Sequence, residues 1–149
     1  MKIKEVTRFL EEFAPLNYQE SYDNSGLIVG DENTEITNVL ICLDSVEEVV
    51  DEAIENNCNL VISHHPIVFS GLKKLNGNNH IERTIIKSIK NDISIYVMHT
   101  NLDNIKGGVS TKIANILGLR NQKILLQKRD LLRKLEVYVP KENAEEVQN

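Results

Sequence analysis

The stretch Leu60-Val61-Ile62-Ser63-His64-His65-Pro66 decides how this sequence is read. Three apolar residues, two of them β-branched, predict a short buried strand that ends directly on polar side chains. Polar groups at the carboxyl end of a parallel strand stand where open α/β sheets bind their ligands. Pro66 restricts His65 to extended backbone, and neighbours in extended backbone point to opposite sides. His64 and His65 are therefore expected to address two ions, or one ion and a supporting partner, rather than to chelate one ion together. Neutral imidazole suits zinc, iron, nickel and similar ions.

The next apolar run, Ile93 to Met98, ends in the same way, on His99-Thr100-Asn101-Leu102-Asp103-Asn104. Two strand ends then deliver three histidines and a carboxylate to one edge of a sheet. Asp103 can bridge two cations. His99 can ligate, orient Asp103 from behind the metal, or transfer a proton, since imidazole titrates near neutrality. Asp44, at the end of an earlier apolar run, is a further candidate with a structural role as its alternative. His80 reads as an ordinary residue at a helix start. Two divalent ions about 3.5 Å apart each want about four or more ligands. His64, His65, His99 and Asp103 fall short of that total, so further ligands are expected from sequence outside this chain.

Around these strand ends the pattern alternates. Lys4 to Phe13 reads as a helix whose apolar face is Ile3, Val6, Phe9, Leu10 and Phe13. Gly26 to Gly30 reads as a short strand and Ile36 to Leu43 as a longer one. Ser45-Val46-Glu47-Glu48 predicts a capping box opening a helix to about Asn56, with Val46, Val49, Val50, Ala53 and Ile54 inward. Asn79-His80-Ile81-Glu82 repeats that pattern before a helix to about Lys90 that buries Ile81, Ile85, Ile86 and Ile89. Val109 to Leu117 is a helix ended by Gly118. Gly107-Gly108 reads as a tight turn before it, with an anion held on its amides as the alternative. The succession implies an α/β fold: a largely parallel sheet covered by helices on both faces, in three layers. Residues 1–126 form this unit and 127–134 a linker. Leu135 to Val139 reads as a strand and Pro140 onward as a helix start, the opening of a second domain.

The chain has 149 residues, 41% hydrophobic and 26% charged, with a net charge of −5. That is enough apolar material for a core and argues against wholesale disorder. No apolar run approaches the roughly 20 residues of a spanning helix, and acids stand where a signal peptide would be apolar. Cys42 and Cys58 are too few for a disulfide framework and fit a reducing cytoplasm as core residues. The acidic balance argues against a nucleic-acid partner. Arg120, Lys123, Lys128, Arg129, Arg133 and Lys134 form one basic stretch without aromatics, which reads as a solvated linker rather than a stacking platform.

Tyr22-Asp23-Asn24-Ser25-Gly26-Leu27, Asp44 with the helix after it, Ser63-His64-His65-Pro66-Ile67-Val68-Phe69 with Leu72-Lys73, and His99-Thr100-Asn101-Leu102-Asp103 with Gly107-Gly108-Val109 occur in that order. Over about residues 1–120 the set resembles the dinuclear-metal-centre proteins known as GTP cyclohydrolase one type two homologues, or NGG-one-interacting-factor-three-like proteins. Tyr22 stands where that family more often has Trp, and Ser110 where Asn is common. The resemblance implies that His64 and His65 each bind one of two metals together with Asp103. It implies that a His and a Glu on a late helix, without counterparts here, complete the site. It also implies a toroidal homo-hexamer with metal sites facing an inner cavity. Some relatives carry an inserted ferredoxin-like domain, whose first strand and helix residues 135–149 resemble.

Two functional readings follow. One is a dinuclear metal-dependent hydrolase acting on GTP or a related nucleotide, with two divalent ions that are zinc, iron, manganese or nickel. The other is a metal-dependent regulatory or scaffold protein without turnover. For this half-length chain, weaker metal binding than in the intact protein is expected.

Overall fold

The computed structural model describes residues 1–125 and 136–148. Its elements run α1 (Ile3–Phe13), β1 (Gly26–Val29), β2 (Val39–Asp44), α2 (Glu47–Glu55), β3 (Leu60–His65), α3 (His80–Lys90), β4 (Ser94–Val97), α4 (Thr100–Asp103), α5 (Val109–Ile116) and α6 (Ala144–Gln148). The four strands form one sheet in the order β1-β4-β3-β2. β2 pairs with β3, and β3 with β4, in parallel. α2 and α3 are the crossovers that parallel neighbours require.

The expectation of a largely parallel sheet needs one correction. β1 runs antiparallel to β4, with Gly26 opposite Val97 and a register shift between Leu27 and Val29. The sheet is mixed because β1 precedes the first crossover helix, so no βαβ unit dictates its direction. β2 also starts later than the apolar run suggests. Glu35 bridges to Lys2 and Ile36 N–H donates to the Met1 carbonyl at 2.9 Å, so this end of the run pairs with the amino terminus instead.

Helices do cover both faces. On one face Val29, Val61, Ile95 and Val97 of the sheet pack with Val50, Ala53 and Ile85 of α2 and α3. On the other, Leu60, Tyr96 and Met98 pack with Ile3 and Ala14, flanked by Val6, Leu10 and Leu102. This second layer does not reach β2, where Ile41 is 79% and Leu43 60% exposed. Phe9 and Phe13 of α1, expected inside, are exposed as well, as are Ile54 and Ile89. Ile81 and Ile86 are only partly buried, and α3 turns Glu82, Thr84 and Ser88 inward instead. The two hydroxyls are satisfied by carbonyls one turn back, His80 and Thr84, each at 2.9 Å. Cys58 is buried and Cys42 half-buried, both as free thiols. Burial, with Asp44 and Glu52 nearby, pushes the Cys42 thiol up to about 11.

Of the two predicted capping boxes, one forms. Asn79 Oδ1 accepts from Glu82 N–H at 2.9 Å. At α2 the cap position falls on Val46 without a side-chain cap, and Ser45 Oγ is enclosed with no hydrogen-bond partner. Gly107 N–H bonds Thr111 Oγ1 and Gly108 N–H the Ile105 carbonyl, so the pair makes the tight turn and its amides are engaged. Residues 136–140 form no strand, and a short 3-10 turn, Lys141–Asn143, leads into α6. A lone strand there would have no partner to pair with. Leu135 and the 127–134 linker lie outside the described residues.

Candidate metal centre

β3 and β4 are neighbours and parallel, so their carboxyl ends deliver His64, His65 and His99 to one edge of the sheet. One ligand nitrogen from each of the three lies within 4.8 Å of the other two. The ring centroids of His64 are 5.0 Å from His65 and 5.2 Å from His99, and those of His65 and His99 are 5.7 Å apart. The expected divergence of His64 and His65 does not occur. Alternation along a strand sets where Cβ points, but each ring is then swung by an anchor on a neighbouring segment.

Those anchors share one chemical property. His64 Nδ1 lies 2.8 Å from the Met98 carbonyl, His65 Nδ1 2.8 Å from Asp44 Oδ1, and His99 Nδ1 2.8 Å from Asp23 Oδ1. A carbonyl and two carboxylates only accept hydrogen bonds, so each neutral ring carries its proton on Nδ1. The lone pair is left on Nε2, the form in which imidazole binds a metal. Asp103 stands beside the group, its Oδ1 3.9 Å from His64 Nε2. His80 opens α3 and lies outside the three-histidine group.

Asp44 thus has a role in the cluster as the partner of His65. His99 turns to Asp23 rather than orienting Asp103. Asp23 is the residue that sequence reasoning missed. Its side chain is fully enclosed and also accepts from Asn24 N–H at 2.7 Å, Thr100 N–H at 3.0 Å, Ser25 Oγ at 3.2 Å and Thr100 Oγ1. Burial alone would raise its carboxyl, but the hydrogen bonds from Thr100, His99 and Asn24 hold it down at about 2. The available signal was its place in the motif Tyr22 to Leu27.

The surroundings leave room for a small molecule. A cleft of about 370 Å³ opens beside His65, lined among others by Asp44, Ser45, Phe69, Lys73 and Ile81. Exposed aromatic rings continue from the cluster. Phe69 lies 6.2 Å from His99 and 6.1 Å from Tyr22, centroid to centroid.

A profile of the Duf34/NIF3 (NGG1p interacting factor 3) family matches residues 1–149. The chain belongs to the Duf34/NIF3 family. It is 42% identical over 125 residues to a GTP cyclohydrolase 1 type 2 homolog of Clostridium acetobutylicum, covering 84% of this chain and 47% of that protein. It is 43% identical over 144 residues to the protein of the same name from Staphylococcus aureus, covering 97% and 39%. The chain therefore spans less than half the length of these NIF3-family relatives. Among solved structures, Staphylococcus aureus protein SA1388 superposes with a TM-score of 0.80 at 43% identity, over 86% of this chain and 41% of that one. A Bacillus cereus protein related to NIF3 gives 0.81 at 41%, over 86% and 35%. Reduced HcgD from Methanocaldococcus jannaschii gives 0.78 at 35%, over 85% and 50%. Shared fold at this identity places the three histidines on a NIF3-type scaffold.

Proposed function

We propose that this chain is the metal-binding half of a divalent-metal-dependent hydrolase acting on GTP or a related nucleotide. The observation that carries the proposal is the convergence of three imidazoles, each presenting Nε2, at the ends of two adjacent parallel strands. The donor set fits a borderline cation such as zinc, iron, manganese or nickel. Three nitrogens with a solvent ligand satisfy one ion, and Asp103 is placed to reach toward a second. Two ions want more ligands than the described residues offer, so the rest would come from the remainder of the longer protein. Divalent ions there supply Lewis acidity and lower the pKa of a coordinated water. The chain's own residues hold the ions and shape the cleft beside them. The Phe69 and Tyr22 rings offer apolar faces to a flat heterocycle, and Lys73 a positive charge to an anionic group.

The relatives' name supports GTP as the first substrate to test. Self-association into a homo-hexamer and a cytoplasmic location belong to the same proposal, the latter fitting two free cysteines. No helix among the described residues is long and apolar enough to cross a membrane. The test is turnover of GTP and of simple phosphoesters by the full-length, metal-loaded protein beside its His65→Ala variant. Product from the wild type alone supports the hydrolase. Metal binding without product in either protein favours the regulatory scaffold.

A further inference from the structure

The loop before β1 contributes nothing obvious to a metal site when read along the chain. In the fold it lies against the segment that follows β4. Because β1 and β4 are antiparallel, with Gly26 opposite Val97, the residues preceding the first strand meet those following the second. His99 N–H reaches Ser25 Oγ at 3.4 Å, and Thr100 N–H reaches Asp23 at 3.0 Å. Asp23 sits at the centre of this contact with its carboxylate fully enclosed.

We propose that Asp23 is a positioning residue that fixes His99 as the Nδ1–H tautomer and aims its Nε2 lone pair into the histidine cluster, making His99 a third nitrogen donor for a divalent cation. The inference rests on the metal-binding reading above and assigns a role to a residue that touches no metal.

The direction of every hydrogen bond around the carboxylate supports it. Glu20 N–H donates to Thr100 Oγ1 at 2.9 Å, so the Thr100 hydroxyl hydrogen is free to point at Asp23. Thr100 N–H points at the same oxygen, Oδ2, as does Ser25 Oγ. Oδ1 faces Asn24 N–H and His99 Nδ1. Both oxygens are thus met by backbone donors that cannot reverse. The carboxylate has no hydrogen to offer the ring, and His99 Nδ1 must be the donor. Asparagine is nearly isosteric but has no satisfactory orientation here. Its NH₂ group would confront either Asn24 N–H and His99, or Thr100 N–H. Placed toward His99, it would draw the lone pair to Nδ1 and put the proton on Nε2, facing the cluster.

The experiment has two readouts on this chain as it stands. In the metal-free, ¹⁵N-labelled wild type, long-range ¹H–¹⁵N spectra at a pH where histidines are neutral should show His99 protonated on Nδ1. That measurement needs no variant. A His99 found as the Nε2–H tautomer overturns the proposal. The second readout is zinc affinity by chelator competition for wild type, Asp23→Asn, His99→Ala and the double variant. Asp23→Asn should weaken zinc by about ten- to a hundredfold, as loss of an outer hydrogen-bond partner does. It should have no further effect in the His99→Ala background. An equal loss in both backgrounds means that Asp23 acts through the general fold and overturns the proposal. Wild-type protein that binds no zinc sinks the metal reading and the ligand role of His99 with it, while the tautomer spectrum still decides whether Asp23 orients the ring.

Discussion

Asp44 and His65 occupy paired positions on adjacent parallel strands, and Asp44 Oδ1 lies 2.8 Å from His65 Nδ1. The pair joins the end of β2 to the histidine cluster, so an edge strand with no histidine of its own supports the site. Both side chains are about half exposed. Asp44→Ala is therefore expected to cost less than about 1 kcal/mol of stability, as exposed pairs do. The same change should lower zinc affinity by about tenfold or more through the loosened His65 ring. Thermal melts of metal-free protein alongside zinc competition separate the two effects.

The four histidines should not respond alike. Alanine at His64, His65 or His99 removes a convergent nitrogen, and each should weaken zinc by more than the roughly hundredfold upper effect of an outer partner. His80→Ala should leave the affinity unchanged. Cobalt titrations followed by visible absorption would show the same division, and a loss at His80 equal to the others would contradict the geometry.

The start of α3 makes a pH prediction. Burial opposes ionisation of Glu82, but the amides of Asn78 and Asn76 and the Asn79 side chain hold its carboxyl below the ordinary 4.5. A depressed carboxyl contributes stability that is present above 4.5 and lost as pH falls through the lower folded value. Denaturant melts at stepped pH should show the gap between wild type and Glu82→Gln closing below about pH 4.5. Asn79→Ala should cost about 1 kcal/mol at neutral pH from the lost cap.

Gly108 links the site to α5. A Cβ there would sit 2.0 Å from the Leu102 carbonyl oxygen and 3.2 Å from that of Ile105. Both are backbone atoms beside Asp103, so the turn must shift to admit alanine. Gly108→Ala is expected to destabilise by about 1–3 kcal/mol, the usual cost of forced overpacking, and to move Asp103 relative to His64. Gly107→Ala meets no such atom but is strained by its φ of +91°. Urea melts of the two variants, with zinc affinity measured on each, test this.

Much of the site was legible because its signals are local. His64, His65 and His99 each follow directly on a short apolar run, and chain order alone places such residues at one sheet edge. The Asn79 box was legible for the same reason: its partners are three residues apart. What failed was non-local. Asp23 reaches His99 only because β1 runs antiparallel to β4, and no periodicity in Gly26–Val29 encodes a direction. A parallel β1 would carry Asp23 to the opposite end of the sheet. His64 and His65 were expected to diverge because alternation governs Cβ, whereas Met98 and Asp44 govern where the rings finish. Ser45 looked like a cap, but α2 starts one residue beyond its reach, with Val46 in the cap position.

The uncovered side of β2 sets how this polypeptide behaves in a tube. Ile41 and Leu43 meet solvent from a strand at the rim of the sheet, and such rims invite strangers to add on. Concentrated stocks should grow turbid with time, and a hydrophobic dye should light up on folded material that is otherwise native by circular dichroism. Handling it dilute and cold, where apolar adhesion weakens, follows directly.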